Sequence, residues 1–200
     1  MRLIYILLLA FLVPSIAEAN VGLPMLAIAW PAMFISLIPI IIIEAFYIRR
    51  KLQITLKQSF KVMTIANLES TVIGIPLTWV CLLLVEMVFG YSAAFLGIDK
   101  LPEKAQQIIL GVASVTVGSA WIGPSEKNAY WLVPAATTAL LISFFFVTWW
   151  YELMSVKRQL KDFEKSDLKD AVLIANLITY GLLAIMSISW LVISVVKKSI

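Results

Sequence analysis

The stretch EAFYIRRKL at residues 44–52 recurs as ELMSVKRQL at residues 152–160. In both copies a glutamate ends an apolar segment, basic residues follow five and six positions later, and leucine follows eight positions later. Further along, Ala66-Asn67-Leu68 matches Ala175-Asn176-Leu177 with a one-residue difference in spacing. The pattern predicts two copies of one unit, in which a span runs inward, a basic turn follows, and a second span runs outward. Such duplication is common in membrane proteins, and here both copies have the same orientation, a parallel internal repeat.

Composition places the chain in a membrane. Hydrophobic residues make up 62% of the 200 residues, charged residues make up 14%, and the mean hydropathy is +0.96. A soluble domain has too little interior to bury that much apolar surface. The chain has no histidine and one cysteine, Cys81, which excludes histidine-based metal sites, histidine-dependent nucleophiles and internal disulfides. We therefore expect no enzyme activity, cofactor, metal or nucleic-acid partner, and we interpret the net charge of +4 as a feature of topology.

Four apolar segments approach or exceed the roughly 20 residues needed to cross the hydrocarbon core. They are Leu23–Tyr47, Val62–Phe89, Leu132–Trp150 and Ala171–Val196. The shorter segment Gln107–Ile122 lies between the second and third spans, and we interpret it as a re-entrant or interfacial helix, with a fifth full span as the alternative. The predicted fold is an all-α polytopic membrane protein with two tandem transmembrane helical hairpins.

The amino terminus has the features of a secretory signal peptide. Arg2 precedes an apolar run from Leu3 to Val13, and Ala17-Glu18-Ala19 is an A-x-A cleavage pattern. An uncleaved signal anchor is the alternative. The chain is thus divided into a signal peptide at 1–19, a first hairpin at 20–98, a connecting segment at 99–130 and a second hairpin at 131–200.

Basic residues predict the orientation. Ten of the sixteen lysines and arginines fall within residues 49–61 and 157–169. Short loops rich in lysine and arginine stay in the cytoplasm, so both turns should face inward from a multi-pass protein of the inner (plasma) membrane. The residues that begin these two turns are Arg49, Arg50, Lys51, Lys157 and Arg158.

Polar residues at membrane depth form one stripe in each copy, which we call the polar seam. Small and hydroxyl side chains at intervals of three and four residues let membrane helices approach closely and form hydrogen bonds across the contact. We favour this packing role over a ligand-lining one. The stripes consist of Asn67, Ser70, Thr71 and Gly74 in the first copy and of Asn176, Thr179 and Tyr180 in the second.

Two glutamates belong to the same seam. Glu44 precedes one basic turn by five residues and Asn67 follows Lys61 by six, so both lie roughly 8–9 Å into the membrane. Equal depth predicts a hydrogen-bonded Glu44–Asn67 pair, mirrored by Glu152 and Asn176, because a carboxylate in hydrocarbon needs a partner. The alternative is that both glutamates cap helix ends near the turn arginines. Glu69 lies on another face, where headgroups or Lys61 are its expected partners.

Residues Glu44–Gly74 resemble the filament-integrity type of small cyanobacterial membrane protein. The resemblance rests on a span ending in glutamate, an Arg-Lys-Leu turn, Lys57-Gln58-Ser59, and Asn67 leading to Ser70-Thr71 and Gly74. It covers about 30 of the 200 residues. It implies a non-enzymatic role at the cell envelope that supports contacts or junctions between neighbouring cells. The signal peptide and the second copy depart from the family's pattern and leave open a distant relative with another role.

Two functions are compatible with this sequence. The first is a structural or assembly protein whose partners are the lipid bilayer and other membrane proteins or further copies of itself. The second is a small duplicated transporter or channel in which the glutamates and asparagines of the seam line the path. We rank the structural role first because the sequence contains no catalytic set and few spans for a pathway.

Overall fold

The computed structural model describes residues 25–116 and 129–199, and every regular element within them is helical. The α-helices are α1 (Met25–Leu52), α2 (Leu56–Glu69), α3 (Ile75–Phe95), α4 (Glu103–Thr116), α5 (Ala129–Gln159) and α6 (Lys165–Ser199). A π-helical turn, Ser70–Gly74, joins α2 to α3, and a 3-10 turn, Ile98–Lys100, precedes α4. The predicted signal peptide at 1–19 and the end of the predicted interfacial segment at 117–122 lie outside the described residues.

Three helical stretches in the described part of the chain are long and apolar enough to cross a membrane. They are Leu56–Ala93, Tyr130–Gln159 and Lys165–Lys198. The all-helical prediction is therefore confirmed for the described residues, and three of the four predicted spans fall within these candidate membrane-spanning stretches. The remaining predicted span corresponds to α1, whose crossing of the membrane stays a prediction. The described helix α4 has 14 residues, about 21 Å at the usual helical rise, which is shorter than the hydrocarbon core.

The first basic turn is closed by local hydrogen bonds. Helix α1 ends at Leu52, and Gln53 adopts a left-handed conformation with a φ of 54°. Its side-chain Nε2 donates to the Arg50 carbonyl at 2.8 Å, satisfying one of the acceptors left open at a helix end. Thr55 then caps α2, where its hydroxyl accepts from the Gln58 amide at 3.2 Å. The chain thereby reverses direction within three residues.

Proline explains the change of helix type between α2 and α3. Pro76 has no N–H, so the regular ladder of amide-to-carbonyl bonds cannot continue through it. The wider turn Ser70–Gly74 lies directly before it, and the Thr78 hydroxyl donates to the Gly74 carbonyl at 2.7 Å. Turns of this kind inside helices often occur at functional sites. Here the turn begins at Ser70, a residue of the polar seam.

We call the end of the bundle that carries the two basic turns the basic end. The main apolar core lies there. Helices α1, α2, α5 and α6 meet there, and their buried side chains form one continuous cluster that includes Ile48, Met63, Ala66, Val156, Leu168 and Val172. A smaller cluster of Leu132, Ala136 and Leu140 on α5 contacts Leu82 of α3 and Val115 of α4. The basic end is therefore tightly packed, and α3 and α4 lie against the first half of α5.

A larger side chain at position 66 tests how closely the basic end is packed, because the Ala66 side chain is completely buried within the core cluster. Enlarging it in Ala66→Leu should lower the free energy of unfolding by about 1–3 kcal/mol, the usual effect of overpacking. Reversible unfolding by sodium dodecyl sulfate in bicelles measures the change. Val192→Phe adds volume at an exposed position of α6 and should leave stability nearly unchanged. Equal effects of the two variants would contradict the described packing.

Candidate functional site

Two carboxylates lie inside the bundle, one on α1 and one on α5. The Glu44 side chain is 1% exposed and that of Glu152 is not exposed at all. Both follow long apolar runs and precede a basic turn by a little more than one helical turn. A buried carboxylate without hydrogen-bond donors carries a large desolvation penalty, so its partners decide whether the arrangement is stable.

Each carboxylate accepts from the asparagine that the matched depths predict. Asn67 Nδ2 donates to Glu44 Oε2 at 2.7 Å, and Asn176 Nδ2 donates to Glu152 Oε2 at 2.7 Å. Each amide nitrogen also donates to the main-chain carbonyl four residues earlier, at 3.0 and 3.1 Å. Both N–H bonds of each asparagine amide are therefore used. These contacts tie α1 to α2 and α5 to α6.

The bundle thus contains two helix pairs, α1 with α2 and α5 with α6, and the second donor of each carboxylate comes from the pair to which that carboxylate does not belong. Thr179 Oγ1 on α6 donates to Glu44 Oε1 at 2.8 Å. Ser70 Oγ, at the start of the π-helical turn, donates to Glu152 Oε1 at 3.2 Å. Each hydroxyl residue follows its asparagine by three positions, so the two helix pairs exchange equivalent donors. Each hydroxyl shares its one hydrogen with a main-chain carbonyl of its own helix, that of Asn67 for Ser70 at 3.0 Å and that of Asn176 for Thr179 at 3.1 Å. With this sharing, all four carboxylate oxygens have a side-chain donor on a different helix.

This exchange was not predicted from the sequence. The spacing places Asn67 and Ser70 on one seam and equal depth pairs Asn67 with Glu44, but neither pattern assigns an acceptor to Ser70. The available signal was the shared three-residue spacing of Asn67 with Ser70 and of Asn176 with Thr179. Spacing along one helix shows that two side chains share a face, but it does not show which neighbouring helix that face meets.

The turn arginines do not pair with the buried glutamates. Arg158 Nη2 instead contacts Glu69 Oε2 at 2.7 Å, the single salt bridge found within residues 25–116 and 129–199. Glu152 therefore does not cap a helix end beside Arg158, and that alternative is wrong for this residue. The ion-pair partner of Glu69 is Arg158 and not the expected Lys61. Both members of this pair are partly exposed, so the pair adds little stability. The remaining turn residues Arg49, Arg50 and Lys51 are exposed, and Lys157 is half-buried.

The other predicted seam residues take separate positions. Tyr180 is half-buried and donates its hydroxyl to Thr148 Oγ1 on α5 at 2.9 Å. Thr71 is half-buried and lines a partly open cavity. Gly74 is buried, yet an added Cβ would meet Val147 at 3.6 Å, an ordinary contact. Close helix approach therefore does not require glycine at this position.

A cavity of about 420 Å³ begins at the buried carboxylates, and it was not predicted. Glu44, Glu152 and Asn67 line one end of it, together with Ser70 and Thr71. Its other lining residues come mainly from α1, α5 and α6, on the side of the glutamates away from the basic end: Ser36, Leu37, Ile40, Thr137, Leu141, Phe144, Thr148, Tyr180, Leu183, Met186, Ser187 and Trp190. The cavity thus has a polar floor and mostly apolar walls.

The described residues offer this site no metal-binding set. Across 25–116 and 129–199, no three side chains of histidine, cysteine, aspartate or glutamate come together as metal ligands would. Two carboxylates supply at most a pair of anionic ligands here, and their oxygens already accept hydrogen bonds from amides and hydroxyls. The arrangement can hold helices together and can present two carboxyl groups to the cavity.

Comparison of the chain with protein-family models, with curated proteins and with solved structures finds no match. The resemblance of Glu44–Gly74 to the filament-integrity type stays a prediction. Inference about function therefore depends on the geometry of the carboxylates, their donors and the cavity.

The exchanged donors make a specific double-mutant cycle informative. Glu44→Leu and Thr179→Val each remove one end of the same hydrogen bond, so their effects on the free energy of unfolding should be non-additive by about 0.5–2 kcal/mol. Glu44→Leu combined with Ser70→Ala is the matched control, because Ser70 donates to Glu152 instead. Unfolding in bicelles measures both cycles. Coupling to Ser70 as strong as coupling to Thr179 would refute the exchange.

Proposed function

We propose that the protein is a non-enzymatic, multi-pass protein of the plasma membrane with a structural or assembly role at the cell envelope. The observation that carries this proposal is that every oxygen of the two buried carboxylates has a side-chain donor on another helix of the chain. Here the polar groups join α1, α2, α5 and α6 into a single frame.

The duplicated architecture belongs to the same proposal. Two tandem hairpins at 20–98 and 131–200, related as a parallel repeat, would place equivalent glutamates, asparagines and hydroxyls in equivalent environments. The matching pair of donors on Glu44 and on Glu152 supports this description. A signal peptide at 1–19 and cytoplasmic basic turns complete the proposed topology. The resemblance of the first hairpin to the filament-integrity type supports a role at junctions between cells.

Helix α3 is the surface that we propose for assembly with other membrane proteins or with further copies of the chain. It lies at the edge of the described bundle, where it packs on α5 through Leu82. Its outward side chains form a long apolar face, including Val80, Leu84, Val88, Tyr91 and Phe95. In a bilayer, packing of such a face against another helix brings van der Waals contact without new polar groups.

Cys81 allows this proposal to be tested in the wild-type protein. It is the one cysteine of the chain and is exposed on α3. Treatment of native membranes with a short bis-maleimide should give a discrete cross-linked adduct through Cys81, identified as a dimer or as a partner by mass spectrometry. A contact surface on α3 explains this result because it holds a second protein within reach of the thiol.

The control moves the thiol to another exposed site. The double variant Cys81→Ser with Ile185→Cys places a cysteine on the outer face of α6, where we expect no discrete adduct. Both proteins must first show the same resistance to heat in detergent. Absence of an adduct at Cys81 in correctly folded protein, or equal adducts at both sites, would argue against assembly through α3.

A second function, transport, is favoured by one observation. The cavity between α1, α5 and α6 reaches both carboxylates, as a binding site within a transport path would. If the protein is a transporter, Glu44→Gln and Glu152→Gln should each reduce solute or proton flux into proteoliposomes at least several-fold. Glu103→Gln, an exposed carboxylate on α4, is the control. Flux that is unchanged by both cavity substitutions would eliminate this function.

A further inference from the structure

We propose that the cavity is a binding site for a single-chain amphiphilic cation, such as a long-chain alkylammonium. The charged head would lie against Glu44 and Glu152, and the hydrocarbon chain would extend along α1, α5 and α6. This inference goes beyond the structural role proposed above, since the frame can form whether or not the cavity is occupied.

The closed end of the cavity defines where the head lies. Below the two carboxylates, the core cluster of the basic end fills the space between the helices with side chains that include Ala45, Ile48 and Val156, none of them exposed. Lining residues therefore lie on one side of the carboxylates. On α5 they extend from Glu152 back to Thr137, and on α6 they extend from Tyr180 forward to Trp190. A charged group is best placed at the carboxylates, because the other walls are mostly apolar and their polar groups, mainly hydroxyls, are neutral.

The two carboxyl groups at the floor favour a cation, because a positive charge beside them stabilises their ionised form. No basic side chain within the described ranges forms a salt bridge with Glu44 or Glu152, and their hydrogen-bond partners are neutral amides and hydroxyls. Each carboxylate oxygen has two lone pairs and uses one of them in these bonds, so it can accept another hydrogen bond. An ammonium group supplies both donors and the opposite charge. Coulombic attraction is strong at this depth because the surroundings have a low dielectric constant.

The walls favour one extended hydrocarbon chain. About 420 Å³ lies along roughly 15–23 Å of helix, as judged from the ten residues that separate Tyr180 from Trp190 and the fifteen that separate Thr137 from Glu152. Spread over that length, this volume suits a single alkyl chain better than a fused ring system or a two-chain lipid. Ile40, Leu141 and Leu183 supply apolar contacts on three different helices. The volume lies within the range of small-molecule sites.

Binding of radiolabelled dodecylamine to the full chain in phosphatidylcholine nanodiscs tests the proposal. Scintillation proximity should show saturable binding of one dodecylamine per chain, above the background of empty nanodiscs. Unlabelled dodecylamine should displace the label, whereas dodecanol and dodecanoate should not, because they match the chain length but lack the positive charge. Displacement by dodecanol as effective as displacement by dodecylamine would overturn the proposal in favour of an uncharged occupant.

Substitutions locate the binding. Loss of both charges in the Glu44→Gln/Glu152→Gln variant should weaken binding by about tenfold or more, because it removes the attraction at low dielectric. Glu103→Gln, which removes an exposed charge outside the cavity, should bind as the wild type does. Leu183→Trp fills the cavity without replacing any hydrogen-bonding group and should abolish binding while the chain stays folded. If the glutamine variant does not fold, Leu183→Trp decides the question, and retained binding in that variant would overturn the proposal.

Discussion

A carboxylate inside a membrane protein needs hydrogen-bond donors, and this need organises the bundle. Glu44 and Glu152 each accept from one amide and one hydroxyl, and the hydroxyl always comes from the other helix pair. In lipid, hydrophobic burial does not select one arrangement of helices over another, because an apolar side chain has about the same free energy against a lipid tail as against another helix. Directional bonds to the two glutamates do select an arrangement. They fix both the rotation of each helix and its depth.

The six side chains that form these bonds make a polar layer across the bundle: Glu44, Glu152, Asn67, Asn176, Ser70 and Thr179. The packing of the helices differs on the two sides of this layer. Towards the basic end, side chains such as Ile48, Val156 and Leu168 pack without access to solvent. On the other side of the layer the helices enclose a cavity. The layer ties the helices together, and four of its six side chains, Glu44, Glu152, Asn67 and Ser70, also line the cavity.

Much of this architecture is predictable from local patterns. Helical spans follow from apolar length, the cap at Thr55 follows from its position before a helix, and the Glu–Asn pairs follow from equal depth on both sides of a turn. The exchanged hydroxyls and the cavity are not predictable in this way. Both depend on how one helix pair sits against the other, and a sequence specifies that relation only through contacts between residues far apart, such as Thr179 and Glu44.

The exchange of donors has a consequence for the order of synthesis. When ribosomes have made only the first hairpin, Ser70 has no acceptor on Glu152 and Glu44 has no donor from Thr179. The first half of the protein therefore lacks part of its set of side-chain partners until α6 is made. A chain released before α6 leaves Glu44 without its hydroxyl donor and Glu152 without its amide donor, so its polar groups differ from those of the folded bundle.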